Sequence, residues 1–255
     1  MKGLFLALLL VASPALANDP GEEIVAGLSQ SSVSITADYA GAEILIYGAV
    51  KREAPPPRGP TIQVIVTVEG PEGPVAVRRK DRVWGIWQNN AAVEIDRAPS
   101  FYAVVTSGPL AQVLSETDDL RHRITIPRAI RSVGIASEAD EAPAFVDALQ
   151  RIRTGDGKYS LREGGVQLTE QTLFRTDVAL PAALTEGDYT VRIFLTREGR
   201  VVDTIKRRIW VRKAGLERFL YQSAHDWPLL YGLASLLIAA LAGWGASALF
   251  ARLRP

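Results

Sequence analysis

The feature that most constrains this chain is an uncharged stretch of 22 residues close to its C-terminus, residues 229–250. As a helix it would extend roughly 33 Å, because each residue adds about 1.5 Å along the axis. The hydrocarbon core of a bilayer is about 30 Å thick, so the stretch predicts one transmembrane helix. Aromatic and basic side chains at its two ends are the expected interface anchors. These anchors are Trp227, Tyr231, Arg252 and Arg254.

The N-terminus has the pattern of a secretory signal peptide, residues 1–17. Lys2 supplies the positive charge, an apolar run follows, and Ala15-Leu16-Ala17 forms an A-x-A cleavage site. An uncleaved anchor helix is the alternative interpretation, but the apolar run is too short to span a bilayer. Cleavage would leave Asn18 as the first mature residue.

A cleaved signal followed by a C-terminal span predicts one topology. The body lies in the periplasm of a bacterium, the helix crosses the inner membrane, and only a short C-terminal stub, residues 251–255, is cytoplasmic. The partners expected from this arrangement are the inner membrane itself and either an integral membrane protein or a second copy of the chain, bound through the helix.

Composition narrows the possible functions. The chain has 255 residues, no cysteine and a formal net charge of +1. Thiolate catalysis and Cys-ligated metals are thereby excluded, and no strong positive field predicts nucleic acid binding. The two histidines, His122 and His225, have no metal-ligand spacing, so we predict neither a metal nor a cofactor.

Carboxylates are the remaining candidates for chemistry. They cluster in two charged runs, residues 118–119 and residues 138–141. Such runs are usually solvated faces, and no pattern pairs two of them as acid and base. We therefore expect no catalytic residues and a protein that is not an enzyme. An envelope hydrolase built from Asp and Glu remains the enzymatic alternative.

The body is predicted to be mostly β. Apolar and polar residues alternate along short segments that are separated by Gly- and Pro-rich turns, as in an antiparallel β-sandwich. Between two β-rich parts the period changes to that of helices, with residues 142–153 the clearest helix. The expected architecture is an immunoglobulin-like sandwich in one or two subdomains with a helical insert. The predicted segments are 18–107 (β-rich), 108–155 (helical), 156–213 (β-rich), 214–228 (amphipathic, beside the membrane) and 229–250 (transmembrane).

Two aromatic features bear on this sandwich. Trp84 and Trp87 are interpreted as core aromatics between sheets, with a ligand-stacking platform as the alternative. Tyr189, which follows a Gly-Asp pair after a turn, resembles the tyrosine corner of immunoglobulin-like domains, in which the hydroxyl bonds to upstream backbone.

Several short segments of the sequence resemble those of a conserved alphaproteobacterial family of uncharacterised transmembrane proteins of about this length. The resemblance covers most of the mature chain and implies an envelope protein with one C-terminal span. It implies no catalytic residue. The segments are residues 45–50, 98–103, 173–175, 180–189 and 231–233.

Within the span, small residues recur every four positions and would form one stripe on a helix. Such a stripe lets another helix approach closely, although small residues are also simply common in membrane spans. This small-residue stripe consists of Ser235, Ala239, Gly243, Ser247 and Ala251. It favours an accessory subunit whose anchor packs against a membrane partner such as a transporter. A periplasmic ligand-binding or sensing module is the alternative.

Overall fold

The structure is a computed structural model that describes residues 22–36, 39–52, 59–130, 142–213 and 216–253. The predicted signal peptide, the acidic run at 138–141 and Arg254 lie outside the described residues. The strands are β1 (Glu23–Leu28), β2 (Ser32–Ile35), β3 (Ala42–Lys51), β4 (Gln63–Glu69), β5 (Glu72–Val83), β6 (Ile86–Pro99), β7 (Tyr102–Thr106), β8 (Tyr159–Arg162), β9 (Gln167–Thr169), β10 (Leu173–Leu180), β11 (Gly187–Arg197) and β12 (Arg200–Lys213). The helices are α1 (Leu110–Val113), α2 (Glu116–His122), α3 (Ile126–Ala129), α4 (Ala142–Gly155), α5 (Leu216–Asp226) and α6 (Pro228–Leu253).

Two sheets form the body, which confirms the mostly β prediction. Sheet A has the strand order β1-β3-β10-β9 and is antiparallel throughout. Sheet B has the order β2-β12-β11-β4-β7-β8, and both of its edge strands pair in parallel, β2 with β12 and β8 with β7. All other strand pairs in the two sheets are antiparallel, as the sequence predicts. The immunoglobulin-like detail stays a prediction.

Both β-rich segments of the sequence contribute to both sheets. In sheet A, β3 pairs with β10, and in sheet B, β4 pairs with β11. The helices that separate these segments along the chain lie beside sheet B in space. Their residues therefore share one continuous core with strands from both segments.

Sheet B is the central layer because both of its faces are apolar. In β4, Val64, Val66 and Val68 point into the core shared with sheet A, whereas Ile65 points into a second core under the helices. Sheet A is an outer layer. The apolar sequence of residues 44–50 predicts a strand that is buried on both faces. That prediction is wrong, because Tyr47 on the outer face of β3 is 48% exposed.

The helical layer covers the second face of sheet B. Phe145 and Leu149 of α4 pack into the second core, as the period of this segment predicts. The spacing of Leu110, Val113 and Leu114 predicts one helix over 109–120, but two short helices, α1 and α2, form there. Ser115 separates them: its Oγ accepts a hydrogen bond from the Asp118 N–H at 3.3 Å, and its own N–H bonds to the Gly199 carbonyl oxygen at 2.7 Å.

A local contact expected from the sequence is present at the start of β11. The Tyr189 hydroxyl donates to the Thr185 carbonyl oxygen at 3.0 Å, and the ring is 1% exposed. This bond fixes the turn that leads into the central strand of sheet B. The neighbouring Phe101 ring packs on Tyr189, with 6.2 Å between ring centroids.

The β5–β6 hairpin pairs with neither sheet in the part of the chain that the structure describes, and we call it the arm. The Gly- and Pro-rich turn at residues 70–74 predicts that residues 75–78 return onto β4. That prediction is wrong, because β4 is already paired on both edges, with β11 and β7. Val77 and Val93 are packed in the second core, and beyond them no arm residue is buried. The arm is roughly 40 Å long, at about 3.4 Å per residue.

Candidate functional site

A polar cavity of about 200 Å³ opens at the end of sheet B where β4 ends. This end is also where the arm begins, so the cavity is built from strands, the arm base and the end of α2. Four arginines face two glutamates, and the lining keeps two net positive charges even with both carboxylates ionised. The lining residues are Glu69, Glu72, Arg97, Arg121, His122, Arg123, Ala129 and Arg192.

Arg192 forms the floor of this cavity. Its side chain is 14% exposed, and its guanidinium lies over the Phe194 ring at 5.3 Å. Nη1 donates to the His122 carbonyl oxygen at 2.8 Å, and Nη2 donates to the Tyr102 hydroxyl at 2.8 Å. The buried Nε–H has no acceptor among the described residues. Arg192 thus ties the end of α2 to sheet B while its charge remains inside the cavity.

Glu69 is the carboxylate closest to this charge. Its Oε2 lies 3.7 Å from Arg192 Nη2, and its side chain is 19% exposed. Burial raises the pKa of Glu69 to about 7; Arg192 opposes this rise, and the hydrogen bond that protonated Glu69 donates to the Glu72 carboxylate adds to it. Glu69 therefore changes charge close to neutral pH. Burial also raises the pKa of the adjacent Tyr102 far above its usual range, so its hydroxyl remains protonated.

The remaining cations form the rim. Arg97 pairs with Glu72 at 3.1 Å, and Arg121 pairs with Asp118 at 3.7 Å. The Arg97 and Arg121 side chains are 52% and 70% exposed, so the cavity is open to solvent on their side. Arg123 caps α2 with a left-handed backbone, φ 51°, which turns the chain around the rim.

The first acidic run is not the solvated face that the sequence suggested. Asp118 and Asp119 are 7% and 8% exposed. Asp119 accepts from the Ile124 and Thr125 N–H groups at 3.0 and 2.8 Å, and Asp118 accepts from the Val201 N–H at 3.2 Å. These carboxylates cap α2 and bind it to β12, so the expectation was wrong because backbone donors take the place of water.

His122 was also expected on a solvated surface, and it is instead half-buried at the end of α2. Its ring meets the Phe194 ring edge-on at 5.8 Å between centroids. Among the described residues, no group of three His, Asp or Glu side chains is placed to hold a metal. His225 stacks on Tyr221 in α5, with 4.1 Å between ring centroids.

The tip of the arm is the second candidate site. Trp84 is 94% exposed, Ile86 is 65% exposed and Trp87 is 66% exposed. The interpretation of Trp84 and Trp87 as core aromatics was therefore wrong. They lie at the far end of a hairpin, where no second layer covers them among the described residues. An exposed apolar group of this kind is typical of an interaction surface.

The base of the arm lies where the chain leaves sheet B for the anchor. The Gly70 N–H bonds to the Phe101 carbonyl oxygen at 2.8 Å, which closes the base. Pro71 packs so tightly on Gly187 that a Cβ there would come within 2.9 Å of the Pro71 ring. Gly187 pairs with Val211, near the end of β12. The base of the arm is therefore at the anchor-side end of the body.

The anchor is α6, a helix long and apolar enough to cross a membrane by length and composition. Its apolar window, Pro228–Ser247, has no residue buried inside the protein. In the small-residue stripe, Ser235, Ala239, Gly243 and Ser247 are exposed, and the side chain of Ala251 is outside the description. Trp227 is 65% exposed, Tyr231 is half-buried and Arg252 lies within α6. Their roles in packing and anchoring stay predictions.

A family model described as "Putative transmembrane protein (Alph_Pro_TM)" matches residues 23–252. The chain belongs to this family. No curated protein matches the chain. Among solved structures, Spo0M, a sporulation control protein from Bacillus subtilis, is similar over 81% of this chain and 55% of its own length, at 10% sequence identity and a TM-score of 0.29. The chain thus spans about half of that protein, and a likeness at this level carries no argument about function.

Membership of the family and the apolar α6 agree in making this a membrane protein, with one candidate span among the described residues. The sequence reasoning identified that span but missed the cavity. Arg192 and Glu69 are far apart along the chain and come together only because β4 and β11 pair in sheet B. The available signals were Glu69 at the end of the otherwise uncharged strand β4 and Arg192 between the apolar residues Val191 and Ile193 of β11.

Proposed function

We propose that this protein is a non-catalytic accessory subunit of a membrane complex such as a transporter. Its β-rich body lies in the periplasm, and α6 holds it in the inner membrane. The family and the anchor support the membrane part of this proposal. The exposed tip of the arm is the observation that supports the subunit role.

Leaving the tip in water is unfavourable, because Trp84, Ile86 and Trp87 bury little apolar surface when the chain folds. A second attachment to lipid would add little retention, since a transmembrane helix already anchors a protein almost irreversibly. A partner protein gives the tip a use, because tryptophan side chains in apolar pockets dominate binding energies at protein interfaces.

The charges on the arm indicate the chemistry of that partner. The outer half of β5 carries Arg78, Arg79, Lys80 and Arg82 against the single acid Asp81. Arg82 stands directly opposite Trp87 in the hairpin register. The arm therefore fits an apolar pocket with an acidic rim on an integral membrane protein, whose negative charge would orient the arm on approach.

Photo-crosslinking tests this docking. A benzoylphenylalanine placed at Trp87 in the full chain, in the bacterium that makes the protein, is expected to form one adduct of discrete protein mass. The Lys80→Glu change should reduce its yield several-fold, because it places a like charge against the acidic rim. Gel mobility and mass spectrometry of the adduct provide the measurement.

Trp210 is the matched control position, a tryptophan on β12 of sheet B that is 42% exposed and is not part of the arm. The same photo-reactive residue there should give no adduct of that mass. Lipid adducts alone at position 87 would mean that the arm touches the bilayer, and that outcome contradicts the subunit role. Equal protein adducts at both positions would contradict it as well.

The anchor provides a second prediction. Gly243→Ile should reduce co-purification of the crosslinked partner from mild detergent, because bulk on the small-residue stripe prevents close helix approach. A Cβ on Gly243 would meet nothing within 4 Å in the described structure, so the change leaves the fold of the chain unaffected.

Gly245→Ile is the control for this change. Gly245 is also free of neighbours within 4 Å, and it faces away from the stripe at helical spacing. Quantitative immunoblotting of the captured partner measures the effect. If Gly243→Ile leaves the recovery of the partner unchanged, α6 is not part of the interface with it.

An envelope hydrolase was the enzymatic alternative, and it would need converging carboxylates. Glu69 and Glu72 do line one cavity. Four arginines share it, and Arg97 holds Glu72 in an ion pair. Such a lining is suited to hold an anion rather than to deliver a proton to a neutral sugar, which favours the non-catalytic role.

A further inference from the structure

We infer that the cavity at the end of sheet B binds a small dianion with several oxygen acceptors, such as an oxyanion or a short dicarboxylate. This inference concerns a site at the base of the arm, separate from the arm tip at which docking is proposed. It goes beyond the subunit role and does not depend on it.

The first support for this inference is the charge of the residues that line the cavity. The four arginines come from three separate parts of the fold: β6, β11 and the end of α2. Folding therefore concentrates like charges that repel one another, which is unfavourable unless something compensates them. The two glutamates compensate half of this charge. Asp118 lies outside the lining and pairs with the exposed Arg121 at 3.7 Å. A bound dianion would compensate the charge that remains, since guanidinium groups are strong donors to oxygen anions.

The shape of the cavity is the second support for the inferred anion site. Arg192 and Glu69 form a floor that is largely shielded from water, and Arg97 and Arg121 form a rim that is open to solvent. At about 200 Å³ the space holds a sulfate or a succinate but not a sugar chain or a polymer. The guanidinium of Arg123 stands at this rim and has no hydrogen-bond or ion-pair partner among the described residues.

Glu69 makes the site sensitive to pH. The charged and titratable groups that face it are Arg192 on β11, Glu72 on β5, Lys206 on β12 and Tyr102 on β7, with the rim residues Arg97, Arg121, His122 and Arg123. When Glu69 is protonated, it leaves the charge of Arg192 available to an anion. When Glu69 ionises, it occupies that charge itself and repels the anion.

Sulfate titration of the full chain in nanodiscs tests this site. Sulfate is the main probe because its charge is constant around neutral pH, and succinate at equal concentration distinguishes a dicarboxylate site from an oxyanion site. Calorimetry at constant ionic strength is expected to show binding to one site at pH 6. Binding should weaken about tenfold by pH 8, because the competent, protonated fraction of Glu69 falls by about that factor.

Two variants locate the site. Glu69→Gln should bind sulfate equally at both pH values, and about tenfold more tightly than the unaltered chain at pH 8. Arg121→Gln with Arg123→Gln should weaken binding at pH 6 by about tenfold or more, because two donors to the anion are lost. Arg175→Gln with Arg208→Gln is the matched control, with the same loss of charge on exposed strand positions outside the cavity.

Each outcome decides the inference. Sulfate binding that the rim pair abolishes and the control pair leaves unchanged supports it. No binding of either probe at pH 6 overturns it, as does equal weakening by both pairs, which would indicate screening by the whole surface. A pH dependence that persists in Glu69→Gln overturns the role of Glu69.

Discussion

Replacing Glu22 with alanine is expected to lower the unfolding temperature by about 10 °C. The Glu22 side chain is 4% exposed and holds two arginines, Arg52 at 2.7 Å and Arg197 at 2.8 Å. Their side chains are 10% and 18% exposed. Removal of the carboxylate leaves two buried positive charges side by side, and breaking a buried ion pair in this way costs about 3–5 kcal/mol. For a domain of this size each kcal/mol shifts the transition by about 2–4 °C.

The position of this ion cluster explains why the effect should be global. Glu22 precedes β1 and Arg52 follows β3, both in sheet A, whereas Arg197 ends β11 in sheet B. Arg52 also donates to the Gln171 carbonyl oxygen and to the Thr172 hydroxyl, which fixes the turn before β10. The cluster therefore joins the two sheets at one corner, and its loss should lower the stability of the whole sandwich.

Glu23→Ala is the matched control for Glu22→Ala. Glu23 is the next residue, and its ion pair with Lys51 spans 3.6 Å between side chains that are 67% and 64% exposed. Exposed pairs contribute about 0–1 kcal/mol, so this change should leave the unfolding temperature almost unaltered. Circular dichroism melts of the full chain in a nonionic detergent measure both. Similar melting temperatures for the two variants would contradict the structural role of the cluster.

Gly48→Ala is expected to destabilise the protein by about 3 kcal/mol. The unfolding temperature should fall by an amount similar to that expected for Glu22→Ala. A Cβ at this position would lie 2.5 Å from the Phe174 ring and 2.5 Å from the Val25 carbonyl oxygen. Phe174 stands opposite Gly48 in the strand register and fills the space that a side chain would take. The carbonyl oxygen belongs to the backbone of β1, so β1 and β3 would have to separate, and overpacking of this kind costs about 1–3 kcal/mol or more.

Gly73→Ala distinguishes this packing effect from the general effect of replacing glycine in a strand. A Cβ at Gly73, near the base of the arm, meets nothing within 4 Å. Alanine there should be neutral or slightly stabilising, because it restricts the unfolded chain. Both variants are compared in the same melts. A Gly48→Ala protein that melts with the unaltered chain would show that β1 and β3 adapt without cost.

The arm shows why the two tryptophans were misjudged from the sequence. Large aromatics in a β-rich chain are usually core residues, and nothing local distinguishes a strand within a sheet from a strand that leaves it. The distinction depends on which edges are already paired. β4 bonds to β11 and β7, so β5 finds no free edge and pairs with β6 alone.

The burial of the two carboxylates at the start of α2 was misjudged from the sequence for a similar reason. Asp118 and Asp119 look like surface residues because charged runs usually are. They are buried because loop backbone N–H groups of Ile124, Thr125 and Val201 approach them. Those donors come from one following turn and from one distant strand, and only the second of these is invisible to local sequence reasoning.

What the sequence determined by itself was set by short-range properties. The length and uniform apolarity of residues 229–250 define the membrane helix, the alternation of apolar residues defines the strands, and the turn before Tyr189 defines its hydroxyl contact. The tertiary structure alone decided the strand order, the separation of the arm from both sheets, and the cavity around Arg192 and Glu69. These depend on pairings between segments more than a hundred residues apart, and the free energy of such pairings comes from burial that no local stretch of sequence specifies.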